Sequence, residues 1–230
     1  MSDAMYINRS EYKYLLSLKD ACELQRKLDL LLQRDAHCPQ DPYRIRSLYF
    51  DTPDNRDYHE NLAGLECRRK IRLRTYDPGA DTCKLELKEK KGEFSHKTSL
   101  FLSRADAERL MQGERQVLLQ NRPSPDALRI YTEMETHAYR PSALIEYERM
   151  AYLYPSFDVR ITFDAEIRSS ESCQDLFAAA PVYTPLLLNG VILEVKFNEH
   201  LPRFLTGVFR SFRLNRRAFS KYASGRITTI

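Results

Sequence analysis

The chain is poor in glycine. Seven glycines in 230 residues, none in a cluster, exclude a phosphate-binding P-loop and a dinucleotide fingerprint, both of which need glycine-rich turns. Any phosphate must therefore be held by side chains. Tryptophan is absent, and five cysteines (Cys22, Cys38, Cys67, Cys83, Cys173) occur with no Cys-x-x-Cys pair, which argues against a disulfide framework or a structural zinc and for a reduced, cytoplasmic protein. His37, His59, His96, His137 and His200 form no His-x-x-x-His pair, so neither a zinc helix nor a Ser-His-Asp arrangement can be argued. The N-terminal MSDAMYINRSEYKY lacks the apolar core of a signal peptide. The longest apolar candidate, Leu186 to Val195, is broken by Asn189-Gly190, so no membrane span is expected. Internal repeats and low-complexity segments are missing too. Lys and Arg number 36 against 32 Asp and Glu, a net charge of +4, so basic character is local, which suits a focused anion site better than a nucleic-acid coat.

What the chain does have is charge at every second position of segments that otherwise read as β-strands. Arg9-x-Glu11-x-Lys13, Lys70-x-Arg72-x-Arg74, Lys84-x-Glu86-x-Lys88-x-Lys90, Tyr147-x-Arg149, Arg160-x-Thr162-x-Asp164 and Glu194-x-Lys196 keep this spacing. Residues at i and i+2 share a strand face. Ile71, Leu73, Leu85, Leu87, Ile161, Phe163 and Val195 fill the opposite one. For a single strand, a solvated charged face is the simpler explanation. Repeated in six strands, the pattern instead suggests a closed antiparallel barrel with apolar residues outside and a basic tunnel inside.

The element pattern is α+β. Strands are expected near 44–51, 67–76, 82–90, 97–102, 143–152, 158–167 and 191–197, besides the first one around Lys13. Ser17 should cap a helix running to about Arg34 with Leu24, Leu28, Leu31 and Leu32 on one face, and Ser103-x-x-Asp106 should open a second, to about Leu118. Asn121-Arg-Pro-Ser-Pro125 reads as a loop within a single domain covering 1–230, and a last amphipathic helix follows Pro202 with Phe204, Val208, Phe209 and Phe212.

The basic candidates for a phosphate grip are Lys13, Lys70, Arg72, Arg74, Lys88, Lys97, Arg149, Arg160, Lys196 and Lys221, since guanidinium forks and mobile ammonium groups together suit a row of phosphates. Glu11, Glu86 and Glu194 share those faces and are either cross-strand ion-pair partners or ligands for Mg²⁺ or Mn²⁺. Glu194 is the foremost metal candidate, because it sits in the apolar run Val191-Ile-Leu-Glu-Val195, where a lone carboxylate is costly. Tyr49 and Tyr147 are tyrosines on strands, where packing is the default role.

Taken in order, Glu11-x-Lys13, Ser47-Leu-Tyr-Phe-Asp51, Ile71-Arg-Leu-Arg74, Leu85-Glu-Leu-Lys88, Tyr147-x-Arg149-x-Ala-Tyr152, Val159-Arg-Ile161, Leu193-Glu-Val-Lys196 and Phe219-Ser-Lys-Tyr222 resemble the VTC domain, the catalytic domain of the vacuolar transporter chaperone complex. That domain is the polyphosphate polymerase branch of the triphosphate tunnel metalloenzymes, relatives of the CYTH domains. The resemblance implies an eight-stranded antiparallel tunnel with helices outside. It also implies transfer of the γ-phosphate of ATP onto polyphosphate with a divalent metal. On this reading Lys13, Arg72, Arg74, Lys88, Lys97, Arg149, Arg160, Lys196 and Lys221 grip phosphate, Glu194 binds metal, and Tyr147 and Ser220 orient phosphate. A tripolyphosphatase or nucleoside triphosphatase, and a non-enzymatic polyphosphate- or RNA-binding module, are the alternatives. The expected partners are ATP and polyphosphate, with no nucleic acid, no membrane insertion by the chain itself, and a separate membrane protein as a candidate receiver of product. Two positions depart from the family pattern: Ala218 stands where a base is frequent, with Arg217 before it, and Thr98 follows Lys97 where a second base is common.

Overall fold

A computed structural model describes residues 9–38, 40–92, 94–120, 123–212 and 214–226. The elements in chain order are β1 (Arg9–Ser17), α1 (Leu18–Asp29), β2 (Gln33–Arg34), β3 (Tyr43–Asp51), α2 (Arg56–Leu62), β4 (Cys67–Thr75), β5 (Thr82–Lys91), β6 (Phe94–Ser103), α3 (Arg104–Met111), α4 (Val117–Gln120), α5 (Pro125–Thr136), β7 (Arg140–Tyr154), β8 (Val159–Ser170), β9 (Thr184–Pro185), β10 (Gly190–Asn198), α6 (Arg203–Arg210) and α7 (Lys221–Arg226). The class is α+β, with one large sheet whose registers are antiparallel.

The strand path is β1-β10-β8-β7-β3-β4-β5-β6, and its two ends do not pair with each other among the described residues. The large antiparallel sheet expected from the sequence is present, without a β1–β6 pairing among the described residues that would close it as a barrel. The outer edge of β1 is used otherwise: Tyr14 bridges Arg216, and the Arg217 N–H donates to the Lys13 carbonyl at 3.0 Å.

The described residues fall into two compact units. The first takes those within Met1–Arg44, Tyr147–Ile167 and Leu187–Phe219, and the second those within Ile45–Glu146, Arg168–Leu186 and Ser220–Ile230. In the first unit, β1 pairs β10 and β10 pairs β8, and one apolar core gathers Leu24, Leu28, Ile161, Phe163, Leu193, Val195 and Leu205. The second unit runs β3-β4-β5-β6 over its own core, with Leu48, Ile71, Leu73, Leu85, Leu87, Ile130 and Leu144. In both units the residues alternating with the charges are the core, as the period of two requires.

Both predicted caps are present. The hydroxyls of Ser17 and Ser103 each accept the backbone N–H three residues on, at 3.1 Å. The first helix ends at Asp29, short of Arg34, because Gln33 and Arg34 pair with Leu153 and Tyr152 of β7 while the Arg34 guanidinium forks onto Asp29 at 2.7 and 2.9 Å. Leu31 is consequently exposed. The helix after Ser103 also stops early: Gly113 takes φ 96°, a conformation that closes α3, and α4 restarts at Val117. Of the expected loop, Asn121 and Arg122 lie outside the described residues, as does the N-terminal stretch before Arg9. Ser124 caps a full helix, α5, with Pro125 at its first position.

Candidate phosphate and metal site

In the second unit, register sets the charged residues in rows. Tyr49 lies opposite Arg72, Arg72 opposite Glu86, and Glu86 opposite Ser99. Two residues along, Lys70 lies opposite Lys88 and Lys88 opposite Lys97. Residues directly opposite share a face, so the alternation read in the sequence becomes one continuous basic surface.

Glu86 organises this surface. It is 3 % exposed and accepts from Arg72 Nε at 2.7 Å, with Arg74 Nε at 3.7 Å and Lys97 Nζ also in contact. Burial alone would raise its pKa, but Arg72, Arg74 and the hydrogen bonds from Lys97 and Arg72 bring it down to about 2. One carboxylate thus holds three cations in place. Arg72 Nη1 also donates to the Tyr49 hydroxyl at 3.0 Å, and Arg74 Nε to Ser47 Oγ at 3.4 Å. Burial works to raise the pKa of Tyr49, but the charges of Arg72, Arg74 and Lys221 prevail and lower it. Lys70 Nζ donates to Ser220 Oγ at 2.8 Å, which fixes the start of α7, where Lys221 sits. Thr98, opposite Leu87, is buried on the apolar side, so a base there would not share the face of Lys97.

Behind this surface, Tyr222 of α7 stacks on Tyr49 with ring centroids 4.9 Å apart and donates its hydroxyl to Asp51. The fully buried Asp57 accepts from the Tyr139 hydroxyl at 2.9 Å. Burial, with Asp51 adding to it, pushes the Asp57 carboxyl up to about 8. These supporting contacts leave no periodic trace in the sequence.

In the first unit, the charges balance. Lys13 lies opposite Glu194 and Glu11 opposite Lys196. Lys13 Nζ is 2.9 Å from Glu11 and 3.7 Å from Glu194, while Lys196 Nζ is 2.5 Å from Glu194 and 3.6 Å from Glu11. Burial works against the Lys13 ammonium, but Glu194 and Glu11 outweigh it and hold its pKa above the ordinary lysine value. Lys13 also donates to the Phe219 carbonyl at 3.2 Å. Arg149, over the ring of Tyr147, forks onto the wholly buried Asp164 at 2.6 and 2.7 Å. Arg160 donates to Asp35 at 2.9 Å and to the Tyr43 hydroxyl at 3.3 Å. Asp35 was not singled out in the sequence because its side-chain partner, Arg160, is remote in the chain.

Glu11 and Glu194 share one face on adjacent strands. Mg²⁺ is commonly held by one or two carboxylates with phosphate oxygens and waters completing the shell, so this donor set fits a divalent ion that arrives with phosphate. Among the described residues no group of three or more His, Cys, Asp or Glu is gathered for a metal, so an all-protein cage is not formed. Among them, too, no helix is long and apolar enough to cross a membrane.

No curated protein matches the chain. Among solved structures it is similar to two proteins each described as a "putative adenylate cyclase". The one from Bacillus halodurans is 15% identical, with 89% of this chain and 88% of that chain covered and a TM-score of 0.49. The one from Vibrio parahaemolyticus is 12% identical, with 94% and 96% covered and a TM-score of 0.49. A protein of Pyrococcus horikoshii OT3 is 12% identical over 93% of this chain and 96% of that one, with a TM-score of 0.47. The model of the VTC domain matches residues 8–230, the span that carries both charged clusters, and the chain belongs to the VTC domain family.

Proposed function

We propose that this chain is an ATP-dependent polyphosphate polymerase, which moves the γ-phosphate of ATP onto the end of a polyphosphate chain. The observation that carries this reading is the row Lys70, Lys88, Lys97 across three adjacent strands, beside the Arg72 and Arg74 guanidiniums. Like charges directly opposite each other are destabilising. Three lysines gathered on one face of adjacent strands favour a ligand with closely spaced negative charges, and a phosphate chain has them.

Phosphoryl transfer asks the protein mainly for positioning and charge stabilisation. Arg72 and Arg74, held by Glu86, are fixed guanidiniums that offset phosphate charge without reorganising. Lys70, Lys88 and Lys97 follow the chain as mobile charges, and Lys221 and the Ser220 hydroxyl add donors. Within the first unit, taken by itself, we assign Lys13, Lys196, Arg149 and Arg160 to phosphate charge and Tyr147 to phosphate orientation. Arg149 and Arg160 are already committed to Asp164 and Asp35, so their effect is through field more than direct grip. An oxygen of the terminal polyphosphate, or of orthophosphate at the start of a chain, attacks the γ-phosphorus. The bond between that phosphorus and the β,γ-bridging oxygen breaks, and ADP leaves with the electron pair. The nucleophile is already ionised, so no strong general base is required. We assign Glu194 and Glu11 as the residues that would hold Mg²⁺ or Mn²⁺, which when bound would offset phosphate charge. Glu86, with three cations around it, serves to place the guanidiniums.

A hydrolase that passes the same phosphate to water is the second reading, favoured by the accessible Glu11 carboxylate, 31 % exposed on β1, which can orient water. Product identity separates the two. Protein, ATP and Mn²⁺, with and without orthophosphate as primer, are followed by ³¹P NMR. Growing internal-phosphate signals with ADP, lost in Lys88→Ala and Glu194→Ala, support the polymerase. Orthophosphate as the sole product supports the hydrolase, and unchanged ATP counts against both.

A further inference from the structure

A second basic feature of unit two lies apart from the rows described above. A cavity of about 270 Å³ opens at the far end of α7 from Lys221, lined among others by Arg140, Arg226, Ser142, Asn55, Gln174 and Asp51. Its volume is far above the roughly 10–15 Å³ that one water needs. The Asp51 carboxylate on its wall is already saturated: it accepts from the N–H groups of Thr52, Asp57 and Tyr58 at 2.7, 3.0 and 2.9 Å, and from the Tyr222 hydroxyl. Its charge is spent inward.

The arginines are disposed differently. Arg226 is fixed, with Nε on Glu171 at 2.9 Å and Nη1 on Ser142 Oγ at 2.5 Å and Asn55 Oδ1 at 3.1 Å. Arg140 is exposed and donates to the Pro53 carbonyl at 3.3 Å; among the described residues it makes no ion pair. Ser142 accepts from Arg226 and gives its own proton to the Tyr222 hydroxyl at 3.2 Å, since Tyr222 donates to Asp51, so Ser142 anchors the guanidinium on the wall. Asn55 turns its amide oxygen to Arg226, which leaves its NH₂ group as a donor. Asn55 also sits at φ 56° and does not use its side chain to cap α2, so the side chain is spent on this cavity wall. Donors converge here, and the carboxylate on the wall has its oxygens occupied by other hydrogen bonds. Guanidinium forks beside an amide donor match a tetrahedral oxyanion.

We propose that this cavity binds a single phosphate group, free or at the end of a chain, at a site separate from the Lys70–Lys88–Lys97 row. It goes beyond the polymerase reading and does not depend on turnover. The test is titration calorimetry of the whole chain with orthophosphate and, separately, with tripolyphosphate, without ATP or metal. Wild type is compared with Arg140→Ala, Arg140→Gln, Ser142→Ala and Arg72→Ala, and melting temperatures verify folding. The expected result is orthophosphate binding weakened at least tenfold by both Arg140 substitutions, a larger loss than Arg72→Ala causes, and several-fold by Ser142→Ala, which releases Arg226. If tripolyphosphate also weakens tenfold with Arg140→Ala, the cavity takes a chain end; if it does not, the ligand is the free ion. Wild-type protein that fails to bind orthophosphate, or binding that Arg72→Ala removes and Arg140→Ala spares, overturns the proposal. A hydrolase or polymerase result from the ATP experiment leaves this test unaffected.

Discussion

The two units carry charge on the same strand period and use it in opposite ways. In the first unit, Lys13 and Lys196 face Glu11 and Glu194, so two cations meet two carboxylates. In the second, the single carboxylate of Glu86 stands among Arg72, Arg74 and Lys97, with Lys70 and Lys88 in the next row. The carboxylates of the first cluster are oxygen ligands that suit a cation. The cationic excess of the second attracts an anion. The difference teaches that alternation alone does not define a site; the ratio of signs on a shared face does.

The comparison is broken most severely at Arg72. Arg72→Ala should lower kcat/KM for ATP by about 10²- to 10³-fold, the scale seen when one fixed donor is removed from a developing charge. Steady-state kinetics with a melting curve as the folding control measures it. A loss under threefold would remove Arg72 from the grip.

The next largest effect is on folding. Arg149→Ala leaves Asp164 buried without its fork and should cost about 3–5 kcal/mol, read by urea unfolding. Glu194→Gln sharpens the contrast between the units: it should raise the Mn²⁺ concentration for half-maximal activity at least tenfold while sparing metal-free polyphosphate binding. Equal metal dependence in wild type and variant would take the ion away from Glu194.

Two smaller effects come from pH. The folded Glu86 pKa lies near 2, below the unfolded carboxylate value, so its stabilisation is complete above the unfolded pKa and fades as pH falls towards 2. Glu86→Gln should therefore lose stability at neutral pH and flatten the acid limb of the melting-temperature profile. Asp57 has the opposite sign. Its folded pKa is raised to about 8, so the folded state holds a proton that the unfolded chain releases, and stability falls as pH rises from about 4 to 8. Asp57→Asn should match wild type near pH 4 and melt higher by a few degrees at pH 8; a constant gap across that range would refute the assignment.

The strands and their faces were legible because a period of two is a local property: Ile71 and Leu73 had to oppose Lys70, Arg72 and Arg74 whatever the fold. Helices were less so. The start of α5 is signalled by Ser124-Pro125-Asp126, a cap followed by proline at the first turn, which the nearby Asn121-Arg-Pro disguises as loop. The short α2 begins at Asn55 without a side-chain cap, and α7 contains Gly225, so neither has a strong local signal.

The sequence by itself determined the charged faces, the two serine caps, the glycine-poor phosphate chemistry and the family, all of which rest on residue type and near-neighbour spacing. Only the tertiary structure decided that the outer edge of β1 meets Arg216 and Arg217, that Glu86 is ringed by cations while Glu194 shares two lysines with Glu11, and that the Asp51 oxygens are taken by backbone N–H groups and Tyr222. Those outcomes depend on cross-strand register and on contacts between residues as far apart as Asp51 and Tyr222, where a one-residue slip would turn every charge to the other face.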